Sequence, residues 1–118
     1  MVASGLSLGA PAHLYIINDS TRRAAVLHLS GTSPQRTAQP SRSGCPGPPD
    51  LTTISTDGLN IRAGTGGLHT LYAANHGDRH AIEIFRIDAR GPTPEASWVD
   101  CVPMPAGTLA NAVVPLAD

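Results

Sequence analysis

The feature that most constrains this chain is the absence of any sustained helical period. No window places apolar residues at i, i+3, i+4 and i+7 over three turns, and twelve glycines and eleven prolines interrupt every longer stretch. Short alternating runs bounded by turn formers occur instead, which predicts an all-β fold of antiparallel strands. Residues 13–19 (HLYIIND) and 24–30 (AAVLHLS) read as a hairpin joined by a turn over 19–22. Residues 31–50 are rich in Ser, Thr, Pro and Gly, and Pro46, Pro48 and Pro49 keep them out of a central strand. Further strands are expected over 58–62, 68–76, 81–89, 97–104 and 110–116, about seven in all. In the strand over 81–89, Ile82, Ile84 and Ile87 with Phe85 between them mark one buried face.

Two stretches look alike. Gly5-Leu6-Ser7-Leu8 followed by His13-Leu14-Tyr15-Ile16-Ile17-Asn18 resembles Gly58-Leu59-Asn60-Ile61 followed by His69-Thr70-Leu71-Tyr72-Ala73-Ala74-Asn75. Tyr15 and Tyr72 lie 57 residues apart, as do Asn18 and Asn75, and one insertion in the turn places Val26-Leu27 on Ile84-Phe85. A repeat of that length built from antiparallel strands is close to the size of a propeller blade. The expected architecture is a partial β-propeller: an incomplete blade and loop over 1–44, a complete four-stranded blade over 45–105, and the inner strand of a next blade over 106–118. Such a chain starts and stops in mid-blade and leaves open strand edges through which copies could assemble.

Composition narrows the function classes. The formal net charge is −1, lysine is absent, and the only adjacent basic pair is Arg22-Arg23, so no basic face for nucleic acid is expected. The aromatics are Tyr15, Tyr72, Phe85 and Trp98, which makes for a thin core of small and branched apolar residues. No apolar run reaches the ~18 residues of a membrane span. The first residues have neither a basic region nor a long apolar one, so no signal peptide is read, and the compartment is not legible. Cys45 and Cys101, without a second pair or a neighbouring histidine, do not make a zinc site. With nothing to signal export, free buried thiols are expected ahead of a disulfide.

The stretch LYAANHGDRHAIEIFRIDARG is the most specific in the chain. It resembles the "L-Y-V-V-N-H … V-E-V-F" stretch of the paraoxonase/arylesterase branch of the gluconolactonase and senescence-marker-protein superfamily. The resemblance continues through Cys101–Pro105 to Asn111-Ala112-Val113-Val114, similar to an "N-D-I-V" strand start. Upstream, GCPGPPDLTTISTDGLNIR resembles the run to an "H-G-I-S-L" strand. Residues 45–116 carry the likeness, and residues 1–30 resemble a preceding blade more loosely. The family fold is a six-bladed propeller, of which this chain resembles about two blades, and its members hydrolyse lactones and esters with a calcium ion in the central tunnel.

The resemblance implies roles for particular residues. His76 matches the histidine of the family's Asn-His pair. An imidazole there can move a proton to or from water while a metal polarises the ester carbonyl; the plainer reading is a histidine that ends a strand. Asn111 matches an asparagine at the tunnel end of an inner strand, where an amide oxygen suits calcium or substrate; the plainer reading is a turn cap. Asn75, Asp78 and Asp57 lie near these two in the matched segments. The chain departs from the family in having Asp57-Gly58 where His-Gly is common, and Asn111-Ala112 where Asn-Asp is found. It also lacks the acidic Glu-Asp ligand pair. His69, His76 and His80 are close in sequence, but His69 and His76 sit seven apart, on opposite strand faces by parity, so a common metal site is not expected. The sequence thus reads as a fragment of a calcium-dependent lactone or ester hydrolase, inactive by itself. The alternative is a non-catalytic propeller remnant that acts as an assembly or binding module, whose likeness to the family is ancestral.

Overall fold

The structure is a computed structural model that describes residues 1–7, 10–32 and 43–117. It is all-β: eight strands form two sheets, and no helix occurs among the described residues. The first sheet is an antiparallel meander of β1 (Val2–Ser7), β2 (Ala10–Asn18) and β3 (Arg23–Val26). The second contains β4 (His28–Thr32), β5 (Thr56–Arg62), β6 (Leu68–Asn75), β7 (Ala81–Asp88) and β8 (Glu95–Pro103), in the order β4-β8-β7-β6-β5. The strands expected from 58, 68, 81 and 97 onward are therefore present as β5 to β8, each within two residues at its start. Of the loop expected over 31–50, residues 33–42 lie outside the described residues.

The two meanders share one register. Val2, Ala3, Ser4 and Gly5 oppose Ile16, Tyr15, Leu14 and His13; 57 residues later, Leu59, Asn60, Ile61 and Arg62 oppose Ala73, Tyr72, Leu71 and Thr70. Tyr15 opposes Val26 as Tyr72 opposes Ile84, and Asn18 opposes Arg23 as Asn75 opposes Ala81. The inner strand aligns differently from expectation. Val2, rather than Leu6, stands where Leu59 does, and Leu8 lies outside the described residues.

Three local expectations are corrected. The returning strand over 24–30 is split at buried Leu27, whose N–H donates to the Leu14 carbonyl at 2.8 Å. Beyond it the chain leaves the first sheet, and β4 pairs parallel with β8. β4 thereby covers an edge that would otherwise expose its backbone groups. Residues 110–117 join no sheet. This segment lies across β5 so closely that a Cβ on Gly58 would stand 2.2 Å from the Asn111 carbonyl oxygen and 2.6 Å from the Ala112 Cα. Only glycine admits that approach. Finally, Cys45 and Cys101 form a disulfide across 56 residues, where free thiols were expected.

Parity explains how Cys101 becomes available. Leu71, Phe85 and Trp98 oppose one another on the core face of β6, β7 and β8. Three residues beyond Trp98, regular alternation would turn Cys101 to the other face. A bulge intervenes: Phe85 opposes Trp98 but Ile84 opposes Asp100, so Val99 is the extra residue. Trp98 and Cys101 consequently both point inward, with no exposure. On β7 the expected buried row of Ile82, Ile84 and Ile87 is divided by parity: the core face consists of Ala81, Glu83, Phe85 and Ile87, while Ile82 and Ile84 lie half-buried on the opposite face. Leu14 and Leu27 of the first meander join Leu71, Phe85, Ile87, Trp98, Ile54 and the disulfide in a single core. The radius of gyration, 13.8 Å, is what a compact chain of this length should have, about 13.5 Å.

Candidate functional site

One carboxylate organises the end of the second sheet where β6 turns into β7. Glu83 has no exposure, yet it lies on an otherwise apolar strand face. Such a charge persists only when paired and hydrogen-bonded. Arg79 grips it in a bidentate pair, Nε to Oε1 and Nη2 to Oε2, both at 2.8 Å. The Trp98 indole N–H donates to Oε2 at 2.9 Å. The Asn75 amide donates to Oε1 at 3.2 Å. The carboxylate in turn holds the Arg79 guanidinium above its ordinary pKa, chiefly through these hydrogen bonds.

Asn75 passes this order into the turn. Its Oδ1 accepts from the Ser55 and Gly77 N–H groups at 3.1 and 2.9 Å, and its Nδ2 donates to Asp78 as well as to Glu83. An amide has two donor hydrogens and two acceptor lone pairs, so all of its capacity is taken up within the chain. Asp78 spans the same turn. Its Oδ1 receives Asn75, and its Oδ2 accepts from the Asp50 N–H at 2.9 Å. Gly77 fits because a Cβ there would stand 2.1 Å from the Thr53 carbonyl. The neighbouring Thr56 hydroxyl is buried without a hydrogen-bond partner.

His76 sits in the middle of this framework. Its backbone N–H donates to the Ser55 carbonyl at 2.8 Å, which fixes the residue beside the start of β5. Its Nδ1 lies 3.3 Å from the Nδ1 of His80, with the rings tilted by 56°. His80 is exposed and His76 half-buried.

The residues singled out from the sequence thus gather at one end of β5 and β6. Asn75 opposes Thr56, Asp57 follows Thr56, and Gly58 carries Asn111 across its face. Asn75 is a structural anchor with no side-chain capacity left, while the exposed Asp78 carboxylate accepts one hydrogen bond on each oxygen from the turn. His69 serves at the far end of β6, where its Nδ1 accepts from the Gly64 N–H at 3.3 Å. Among the described residues, no group of three or more His, Cys, Asp or Glu side chains is arranged to hold a metal ion.

Sequence reasoning missed Glu83 and Arg79, and set His80 aside together with His69 and His76. The signal for Glu83 was present: Ala81, Glu83, Phe85 and Ile87 alternate, and a carboxylate within such a row needs a buried cation. Nearness in sequence was the only signal for His80, because the approach of its ring to His76 depends on the shape of the turn.

No family model matches this chain, no curated protein matches it, and no solved structure matches its fold.

Proposed function

We propose that this chain is about two blades of a β-propeller hydrolase resembling the paraoxonase/arylesterase and gluconolactonase proteins, acting on a lactone or ester, with His76 as the proton-transfer group. The observation that carries the reading is the held position of His76: it follows an asparagine whose amide is fully engaged, and its backbone is tied to Ser55. Asp57 and Asn111 are brought to the same end of the sheet. A proton-transfer group must be positioned before its basicity matters. The likeness of residues 45–116 to the family and the common register of the two meanders support the blade reading, with β5 to β8 as the complete blade.

The family's calcium does not fit the residues present by themselves. Calcium takes 6–8 oxygens. The side-chain oxygens of Asn75 and Glu83 are committed to the turn, and those of Asp57, Asp78 and Asn111 even together fall short of that number. The chain alone would therefore be inactive, lacking the ligands that would hold the ion.

A second reading has its own observation. Ile61, Val102, Val114 and Leu116 are between 44% and 81% exposed, and β1, β3, β4 and β5 end their sheets. Exposed apolar groups beside open edges suit a non-catalytic module that assembles with copies of itself.

The test is hydrolysis of a panel of aliphatic lactones and aryl esters, with calcium and with chelator, alongside sedimentation. Turnover that requires calcium and falls steeply in His76→Gln supports the hydrolase. Turnover unaffected by that substitution removes His76 from the mechanism. A clean monomer without turnover is what a fragment inactive alone should give, and it removes the assembly; an assembled form without turnover, with and without calcium, removes the hydrolase.

A further inference from the structure

The geometry points to a second kind of metal site, unrelated to calcium: a solvent-open, two-imidazole site for a divalent transition ion of the zinc type, formed by Nδ1 of His76 and Nδ1 of His80. The two nitrogens face each other at 3.3 Å. In a tetrahedral zinc site with Zn–N distances of about 2.0–2.1 Å, two imidazole nitrogens stand about 3.3 Å apart. Two neutral imidazoles meet at that distance only if one presents N–H to the other's lone pair. With both nitrogens deprotonated, their lone pairs oppose each other, and a cation that takes both relieves the conflict.

Preorganisation strengthens the case. Asn75, the residue before His76, is locked by its side-chain hydrogen bonds, Gly77 is packed against Thr53, Asp78 is tied to Asp50, and Arg79 is held by buried Glu83. The backbone of His80 is fixed too, its carbonyl accepting from the Met104 N–H at 3.0 Å. Every residue between the two imidazoles is thus anchored, so little ordering is needed when an ion binds. The exposure of His80 leaves the remaining coordination positions to water. Imidazole nitrogen suits zinc, copper and nickel, and is a poor ligand for calcium.

This inference does not rest on the hydrolase reading. Absence of hydrolysis leaves the zinc site standing, and absence of zinc binding leaves the hydrolase reading standing. In a preparation that does hydrolyse a lactone through Nδ1 of His76, zinc acts as an inhibitor, because it occupies the lone pair that accepts the proton.

The experiment is calorimetric titration of the folded, disulfide-bonded chain with zinc chloride. One ion per chain is expected, with binding weakened at least about tenfold in both His76→Gln and His80→Gln, by analogy with the 10–100-fold typical of losing even an outer-sphere partner. His28→Gln, on β4, should bind as the parent does. Imidazole nitrogen resonances supply a second measurement that needs no variant: zinc should shift Nδ1 of His76 and His80 and leave His69 unmoved. Binding that persists unchanged in His80→Gln, coordination through Nε2, or no binding at zinc concentrations up to about 1 mM would overturn the proposal.

Discussion

Replacing Glu83 tests the centre of the structure. The carboxylate is wholly buried and receives four hydrogen bonds, two from Arg79 and one each from Trp98 and Asn75, while the Arg79 side chain is only 20% exposed. Glu83→Ala strands a largely buried guanidinium and an indole N–H, so a loss of about 3–5 kcal/mol is expected. That is a large share of the ~5–15 kcal/mol that holds a domain together, so the milder Glu83→Gln is the better probe. It keeps the volume and one acceptor oxygen but removes the charge, which should cost about 2 kcal/mol for the weakened charge-assisted bonds. Denaturant unfolding can be followed through Trp98, the only tryptophan, which contacts Glu83 directly. Arg79→Met should be destabilising by itself, yet the double variant should cost less than the sum of the singles, because no charge is then left unpaired. A Glu83→Gln cost under about 0.5 kcal/mol, or strict additivity in the double variant, would refute the account.

Three further outcomes are expected. Replacing Cys45 and Cys101 together by alanine removes a link across 56 residues, worth about 4 kcal/mol by the chain-entropy relation, and should lower the unfolding midpoint as reduction of the parent does. Gly58→Ala sets a methyl group against backbone atoms of Asn111 and Ala112, so residues 110–117 should become more susceptible to limited proteolysis, at a cost of about 1–3 kcal/mol. The exposed Arg90 guanidinium holds Asp88 down to about 2, chiefly through its hydrogen bond. A lowered carboxylate pKa contributes stability above its unfolded value near 3.8 and loses it as pH falls toward 2. Asp88→Asn should therefore flatten the acid limb of stability in that window, and an unchanged limb would dismiss the pair.

Strand positions were legible because alternation and turn residues are local signals. Glycine and Asp-Arg turns fix where β6 and β7 begin and end, and the 57-residue spacing of Tyr15 and Tyr72 foretells their equal places in the ladders. Three things were not legible, each for a physical reason. The break at Leu27 is a choice of partner strand, decided by the open edge of β8 rather than by the residues of 24–30. The bulge at Val99 reverses the facing of Cys101, and nothing in SWVDCVP marks it. The disulfide follows from that bulge together with the approach of Cys45, so cysteine count and spacing could not decide it.

The candidate site shows how a small sequence difference divides two similarly built hairpins. Asn18 and Asn75 occupy equal places, each opposite the first residue of the returning strand, and the Oδ1 of each accepts N–H groups of its own turn. Opposite Ile16 in the first hairpin stands Ala25; opposite Ala73 in the second stands Glu83. With alanine beneath it, the first turn is held by the side chain and carbonyl of Asn18, which is exposed. With glutamate beneath it, the second turn acquires Arg79, Trp98 and a buried, fully bonded asparagine. The five-residue span from His76 to His80 is the one so reinforced. A charge buried under a turn is a costly means of stabilising a sheet, since well-packed apolar residues serve stability at least as well. What it adds here is a fixed direction for the residues above it, and those residues are the two imidazoles.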